Sequence, residues 1–318
     1  MKVTIHNLLK VLYHIINMLQ TREGLFIKEK GYILQNQFNA IGAYLKQEFG
    51  CKVIKLSIDG GFTCPNRDGT LSTDGCIFCS PEGSGELASN IPDQIKMLSA
   101  KWPNSKYLVY FQNHTNTYAP VSELREKYYA ALDYPGVVGI AIATRPDCLS
   151  DGVLELLDDL NKKTFLWVEL GLQTIHDDTA RLINRCYPLV TFNDAMDKLT
   201  KLNIKAVIHL ILGLPGEDKE AMLASVRYVC DKNIFGIKLH MLNLVKGSTM
   251  ERLYPNYVSF ETMDDYIKLA AEAIRLIPPN ITIHRITGDV PRNILISPTW
   301  SYEKLRILNG INKELSPL

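Results

Sequence analysis

The stretch Val53-Ile54-Lys55-Leu56-Ser57-Ile58 runs at once into Asp59-Gly60-Gly61-Phe62-Thr63-Cys64 and closes on Cys76-Ile77-Phe78-Cys79. Six residues dominated by aliphatic side chains predict a strand, and the Asp-Gly-Gly that follows predicts its end. The loop beyond spaces three thiols as C-x11-C-x2-C. A Cys-x-x-Cys pair lets two thiolates reach one metal centre, and the long loop folds back to bring the third. Thiolates are soft ligands, suited to zinc or to iron–sulfur clusters. Three of them leave one iron of a four-iron cluster open to a small molecule. The competing reading is a structural zinc ion closed by a fourth ligand, His114 or Cys148. Gly61, Gly69, Gly75 and Pro65 suit a tightly wrapped loop either way.

Outward from this stretch, apolar runs of strand length recur at Tyr107–Phe111, Val138–Ala143, Leu166–Leu170, Ala206–Leu212 and Gly236–Leu242. They are apolar throughout rather than alternating, as expected when both faces of a strand are covered. Helical periodicity fills the gaps at Val121–Leu132, Asp151–Leu160 (with Ser150 as N-cap), Thr191–Leu202, Lys219–Cys230 and Glu261–Ile277, which Pro278-Pro279 stops. Six strands alternating with helices predict an α/β fold, either a parallel sheet or a partial barrel. A further apolar run, Ile281–Ile286, and a helix near Ser301–Leu315 form the tail. No Ser/Pro-rich linker interrupts residues 38–318, which reads as one domain.

Each predicted strand ends in polar residues, where such folds gather their reactive groups. These are Gln112-Asn113-His114 after the second, Thr144-Arg145-Pro146-Asp147 after the third, Glu169 and Gln173 on the fourth, Gly213–Glu217 after the fifth, and His240 with Lys246 on and after the sixth. Repeated placement of this kind favours one shared site. Arg145 and Asp147 read equally well as a local ion pair and as ligand contacts. Cys148 reads as a small buried hydrophobe, and His209 as a satisfied core histidine.

At 318 residues and 46% apolar, the chain can bury a sizeable core. Lys plus Arg is 35 and Asp plus Glu is 34, a formal charge of +1. That excludes a generally basic nucleic-acid coat but leaves room for a local patch. Seven cysteines without a secretory signal argue against a disulfide framework and for metal or catalysis. No run of about 18 uncharged apolar residues occurs, so no membrane span and a cytoplasmic location are expected. Residues 1–37 read as an N-terminal extension, with a short amphipathic helix within Met1–Gln20.

The three-cysteine loop after the first strand of a (β/α)6 pattern resembles the radical S-adenosylmethionine (SAM) superfamily, in a form with a wider cluster loop, like that of the elongator catalytic subunit. Six stretches narrow the likeness to the YtqA/YhcC-type radical SAM proteins: Ser57–Gly69, Thr117–Pro120, Ala143–Leu149, Glu169–Thr174, His209–Glu217 and His284–Asp289. The resemblance implies a partial (β/α)6 TIM-like radical SAM barrel with a C-terminal extension. It implies a [4Fe–4S] cluster on Cys64, Cys76 and Cys79, with Phe78 packed beside it. SAM would chelate the open iron and be cleaved to a 5′-deoxyadenosyl radical.

The resemblance also assigns the cosubstrate contacts. Gln112, Asn116 and Thr117 would meet the SAM amine and Glu169 its ribose hydroxyls. Arg185 would pair with its carboxylate, and Leu212 and Gly213 would form the adenine turn. Arg145 and Gln173 complete the set. Proteins of this type are implicated in converting wobble 5-carboxymethylaminomethyl(-2-thio)uridine to 5-aminomethyl(-2-thio)uridine. The implied partners are a tRNA anticodon loop, a reductant such as flavodoxin or ferredoxin, and a functional link to a tRNA methyltransferase. A substrate carboxylate calls for a cation, and Arg285, His284 and Lys246 are the candidates, with Arg292 behind them. The alternatives are a radical SAM enzyme acting on a small molecule or peptide, and a non-catalytic zinc-stabilised RNA-binding protein.

Overall fold

In the computed structural model of the chain, residues 37–83, 85–288 and 290–316 are described, together with a short antiparallel pair at Ile27–Lys28 and Gly31–Tyr32. The helix expected within Met1–Gln20 lies outside the described residues.

Seven strands form one parallel sheet in chain order: β1 (Val53–Ile58), β2 (Lys106–Phe111), β3 (Val137–Thr144), β4 (Phe165–Gln173), β5 (Lys205–Leu212), β6 (Gly236–Met241) and β7 (Thr282–Arg285). The sheet curls into a half-barrel, with β1 and β7 as its edges. All six expected strands are present. The tail run Ile281–Ile286 supplies a seventh strand of the same sheet, paired to β6.

The helices are α1 (Ile41–Phe49), α2 (Ile91–Ser99), α3 (Val121–Leu132), α4 (Asp151–Lys163), α5 (Asp177–Leu182), α6 (Leu189–Lys201), α7 (Lys219–Cys230), α8 (Thr249–Leu253), α9 (Met263–Arg275) and α10 (Lys304–Leu315), most of them on the outer face. Ser150 caps α4 through a hydrogen bond from Val153 N, as its position predicts. Helices α1, α2 and α8 are not legible in the sequence. They span only 9, 9 and 5 residues, too few turns to declare a period.

The strands are apolar on both faces because both are covered. Outward residues such as Leu56, Val109, Ile142, Val168, Ile208 and Leu239 pack under the helices. The inward residues near the strands' N-terminal ends, Leu108, Ala141, Trp167 and Val207, form a separate plug, which Tyr44 and Phe49 of α1 close from below with Phe165 and Phe235. Trp167 is almost wholly buried there, and its ring meets Phe165 edge-on at 5.8 Å. The plug seals one end, so the open end at the strands' C-termini is where a site can form.

Candidate functional site

The thiol loop builds itself from its own main chain. Cys64 O accepts from Arg67 N (2.8 Å) and Asp68 N (3.1 Å), Pro65 O from Leu71 N (2.7 Å), and Asn66 O from Gly75 N (2.7 Å). Gly75 has φ +70°, and a Cβ there would press on the Arg67 side chain at 3.1 Å, so glycine is required. Asn66 is wholly buried. Its Nδ2 donates to Asn184 O (2.6 Å) and reaches Cys76 Sγ at 3.5 Å. Asn184 Nδ2 returns to Gly75 O at 2.7 Å. Ile77 N donates to Ile183 O, and Met250 N at α8 donates to Ile77 O. The loop is thus tied to segments more than a hundred residues away.

Cys64, Cys76 and Cys79 all face one cavity of about 260 Å³, with Phe78 beside them. Burial, and then the neighbouring Cys79 thiol, push the Cys76 thiol up to about 12. A bound cationic centre would favour its thiolate, as Arg145 and the Asn66 amide already do. Among the described residues no three His, Cys, Asp or Glu side chains converge on a single ion. Three soft thiols around one cavity fit a multi-iron cluster, whose ligands bind separate irons. The closed zinc site with His114 or Cys148 is not assembled in this geometry.

The middle of the barrel is charged. Glu169 is wholly buried and lies in register with Ala143 and Val207. Its Oε1 accepts from Trp167 Nε1 (2.9 Å) and its Oε2 meets His209 Nε2 (2.8 Å) and the Lys238 ammonium. Lys238 Nζ also donates to Tyr110 Oη at 3.1 Å. Burial opposes ionisation of Glu169, but the ammoniums of Lys238 and Lys55 and the His209 hydrogen bond outweigh it and hold the carboxyl well below its usual range. Burial lowers Lys238, and Lys55 and Arg285 lower it further against the pull of Glu169. Burial and Lys238 bring His209 down to about 4, so it is neutral at pH 7. His209 is therefore satisfied, as expected, but by a charged partner at a cavity wall rather than in the core.

Of the expected cosubstrate contacts, Gln112, Arg145, Glu169, Gln173 and Arg185 line this cavity. Gln173 sits at φ +64° beside a break in the β4–β5 register, an uncommon conformation for a non-glycine residue. Arg145 makes the two-bonded pair with Asp147 (2.9 and 2.7 Å), as the ion-pair reading expects, and also borders the cavity.

Other expectations need correction. Asn116 and Thr117 stand behind the wall. Asn116 Nδ2 donates to the carbonyls of Phe111, Asn113 and Ala143, and Thr117 bonds Thr144 and Cys148 O. They shape the β2 exit rather than face a ligand. Arg185 is wholly buried and clamps main chain, donating to Tyr187 O, Leu172 O and Thr174 O. Its guanidinium is largely committed before any carboxylate arrives. Leu212 and Gly213 do not border the cavity. Gly213 (φ +88°) donates to Met222 Sδ, and a Cβ there would strike Ser259 and Phe260 at under 3 Å.

Among the substrate candidates, Arg285 lines the cavity. His284 lies one layer lower against Trp167 and Phe235 and bonds Thr282 Oγ1. Lys246 is exposed in the turn after Val245, and Arg292 is exposed over the Tyr302 ring.

Three features of the site escaped the sequence reading: Lys238, Tyr110 and the Asn66–Asn184 tie. The first had a signal. A lysine flanked by apolar residues inside Gly236–Leu242 must face a partner, since a buried charge is costly alone.

Comparison with known proteins places this geometry. Residues 64–229 match the model of the radical SAM superfamily and residues 234–316 that of the radical SAM C-terminal domain. The chain is 45% identical to the uncharacterized protein YtqA of Bacillus subtilis over 88% of its length and 90% of that protein. It is 37% identical to YhcC of Escherichia coli over 84% and 88%. A shorter likeness, 31% identity over 48% of this chain and 34% of the other, is to the tRNA uridine(34) acetyltransferase of Dehalococcoides mccartyi. Among solved structures, the archaeal Elp3 of Methanocaldococcus infernus superposes with a TM-score of 0.58 at 17% identity, over 77% of this chain and 58% of that one. No helix among the described residues is long and apolar enough to cross a membrane.

Proposed function

The chain belongs to the radical SAM superfamily, which implies SAM and a [4Fe–4S] cluster, and from that premise we propose that it is a tRNA-modifying enzyme converting wobble 5-carboxymethylaminomethyl(-2-thio)uridine to the 5-aminomethyl form. The observation that carries the reading is one cavity with thiols at its mouth and cations at its floor. The partial likeness to a tRNA uridine(34) acetyltransferase supports a tRNA substrate.

Cys64, Cys76 and Cys79 would hold the cluster. When bound, cluster and cosubstrate supply a carbon radical able to abstract hydrogen. Gln112, Arg145, Glu169 and Gln173 would orient the cosubstrate around that corner. The plug around Trp167 keeps water from the far end. Arg285 would take the substrate carboxylate in a fork that lysine does not offer. The methylene between amine and carboxylate loses a hydrogen atom and then an electron to a one-electron acceptor such as the partner flavodoxin or ferredoxin. Water adds to the resulting imine, releasing glyoxylate and the aminomethyl nucleoside.

Total tRNA nucleosides from a deletion strain test the substrate. Accumulation of the carboxymethylaminomethyl form is expected, and an unchanged wobble-uridine profile would exclude this reading in favour of a small-molecule or peptide substrate. Deuterium placed on the methylene should appear in 5′-deoxyadenosine.

A further inference from the structure

Below the thiols, the inward faces of β2, β4, β5, β6 and β7 converge on a charged layer. We infer that this floor, where Tyr110, Lys238, His240 and Arg285 border the cavity, is a subsite for a carboxylate carried by the substrate. The inference deepens the proposed function and rests on it for which substrate brings the carboxylate, not for the anion itself.

Glu169 is the carboxylate that acts on both Lys55 and Lys238 at this depth. Both of its oxygens are in use, by Trp167, His209 and Lys238. Two ammoniums, Lys55 and Lys238, flank the Tyr110 ring at 4.3 and 4.5 Å from its centroid. Even with Arg285 left aside, two lysines, Lys238 buried and Lys55 half-buried, share the one carboxylate of Glu169. An ammonium has three N–H bonds, and the structure assigns two of those on Lys238, to Glu169 and Tyr110.

Two residues further along the same inward face of β6 stands His240. Its ring lies 5.0 Å from that of His209, and its Nε2 is buried without a hydrogen-bond partner. In the tautomer protonated on Nε2 it offers a second unanswered donor beside Lys238. A small planar anion would accept from both and neutralise the excess charge. A carboxylate fits because it can enter at the end of a narrow substituent. A phosphate of a polynucleotide is flanked by two sugars and stays outside.

The test is calorimetric titration of the anaerobically reconstituted full chain, saturated with SAM, using N-methylglycine, its uncharged amide, and inorganic phosphate. Binding of the carboxylate and not the amide is expected. R285Q should weaken it about tenfold to a hundredfold, as should the double variant E169Q/K238M, which removes both members of the buried Glu169–Lys238 pair together. The cluster absorbance near ~400 nm should stay unchanged in both, and SAM affinity should stay unchanged in R285Q. The inference is overturned if the amide binds equally, if phosphate binds more tightly than the carboxylate, if SAM competes with N-methylglycine, or if neither variant alters binding. Carboxylate binding alongside an unaltered tRNA nucleoside profile would remove the tRNA substrate and leave the subsite standing.

Discussion

The mouth of the barrel and its floor use the same strands and solve opposite problems. At the mouth, chemistry sits on a loop. Three thiols are gathered by main-chain turns and by Asn66, and the fold beneath does not need them. At the floor, chemistry sits on the strands themselves. Glu169, Lys238 and His209 are held in register by the sheet, and the sheet must carry their burial. Removing a mouth residue should cost function and spare the fold, whereas removing a floor residue should cost both.

The largest effect belongs to the mouth. C76A should abolish cluster absorbance and SAM cleavage outright, with the circular dichroism spectrum and unfolding midpoint near those of the parent apoprotein. A collapse of the fold would erase the distinction between the two regions. Next comes the floor. E169Q leaves Lys238 and Lys55 without their anion and should destabilise the protein by about 3–5 kcal/mol. Adding K238M should restore much of that, since the pair is then absent rather than broken. Denaturant titration of both variants shows it, and simple additivity would mean that the pair is not coupled.

Acid sharpens the comparison further. His209 is held near 4 in the folded protein, against about 6.5 when unfolded. Between those values the unfolded chain binds a proton that the folded chain refuses. Stability therefore rises with pH across that window and is lost as pH falls from about 6.5 toward 4, by an amount on the order of 3 kcal/mol. Glu169, whose folded value is depressed, continues the loss below the ordinary carboxylate range. An H209Q variant should flatten the upper part of this profile and leave the lower part.

How legible each region was follows from the same contrast. The mouth's signal is local: C-x11-C-x2-C lies within 16 residues of sequence, directly after a strand. Strand positions were legible because β1–β6 each carry a run dominated by apolar residues, and the polar strand ends pointed to one end of the barrel. The floor is non-local. Glu169 and Lys238 are 69 residues apart, and nothing in either stretch names the other. Arg185 shows the converse limit. Its type and spacing suggested a ligand contact, but which carbonyls surround it depends on how β4 ends and where Tyr187 lies. Asn116 misled for the same reason, because a side-chain amide satisfies a bent main chain as well as it satisfies a cosubstrate.

The smallest effect is expected where the two regions are tied. Asn66 is a mouth residue built like a floor residue: wholly buried, with its amide shared between Asn184 O and Cys76 Sγ. N66A removes both bonds and leaves the Asn184 carbonyl in need of a donor, at a cost of about 1–3 kcal/mol. The thiols remain, so the cluster should assemble. Its electronics should differ, because an N–H directed at a ligating sulfur favours the reduced, more negative state. The reduction potential of N66A, followed by spectroscopically monitored redox titration, should therefore fall below that of the parent while the cluster absorbance is retained. An unchanged potential with lowered stability would make Asn66 a strut of the loop alone. Loss of the cluster would show that the mouth depends on its buried tie as the floor depends on Glu169.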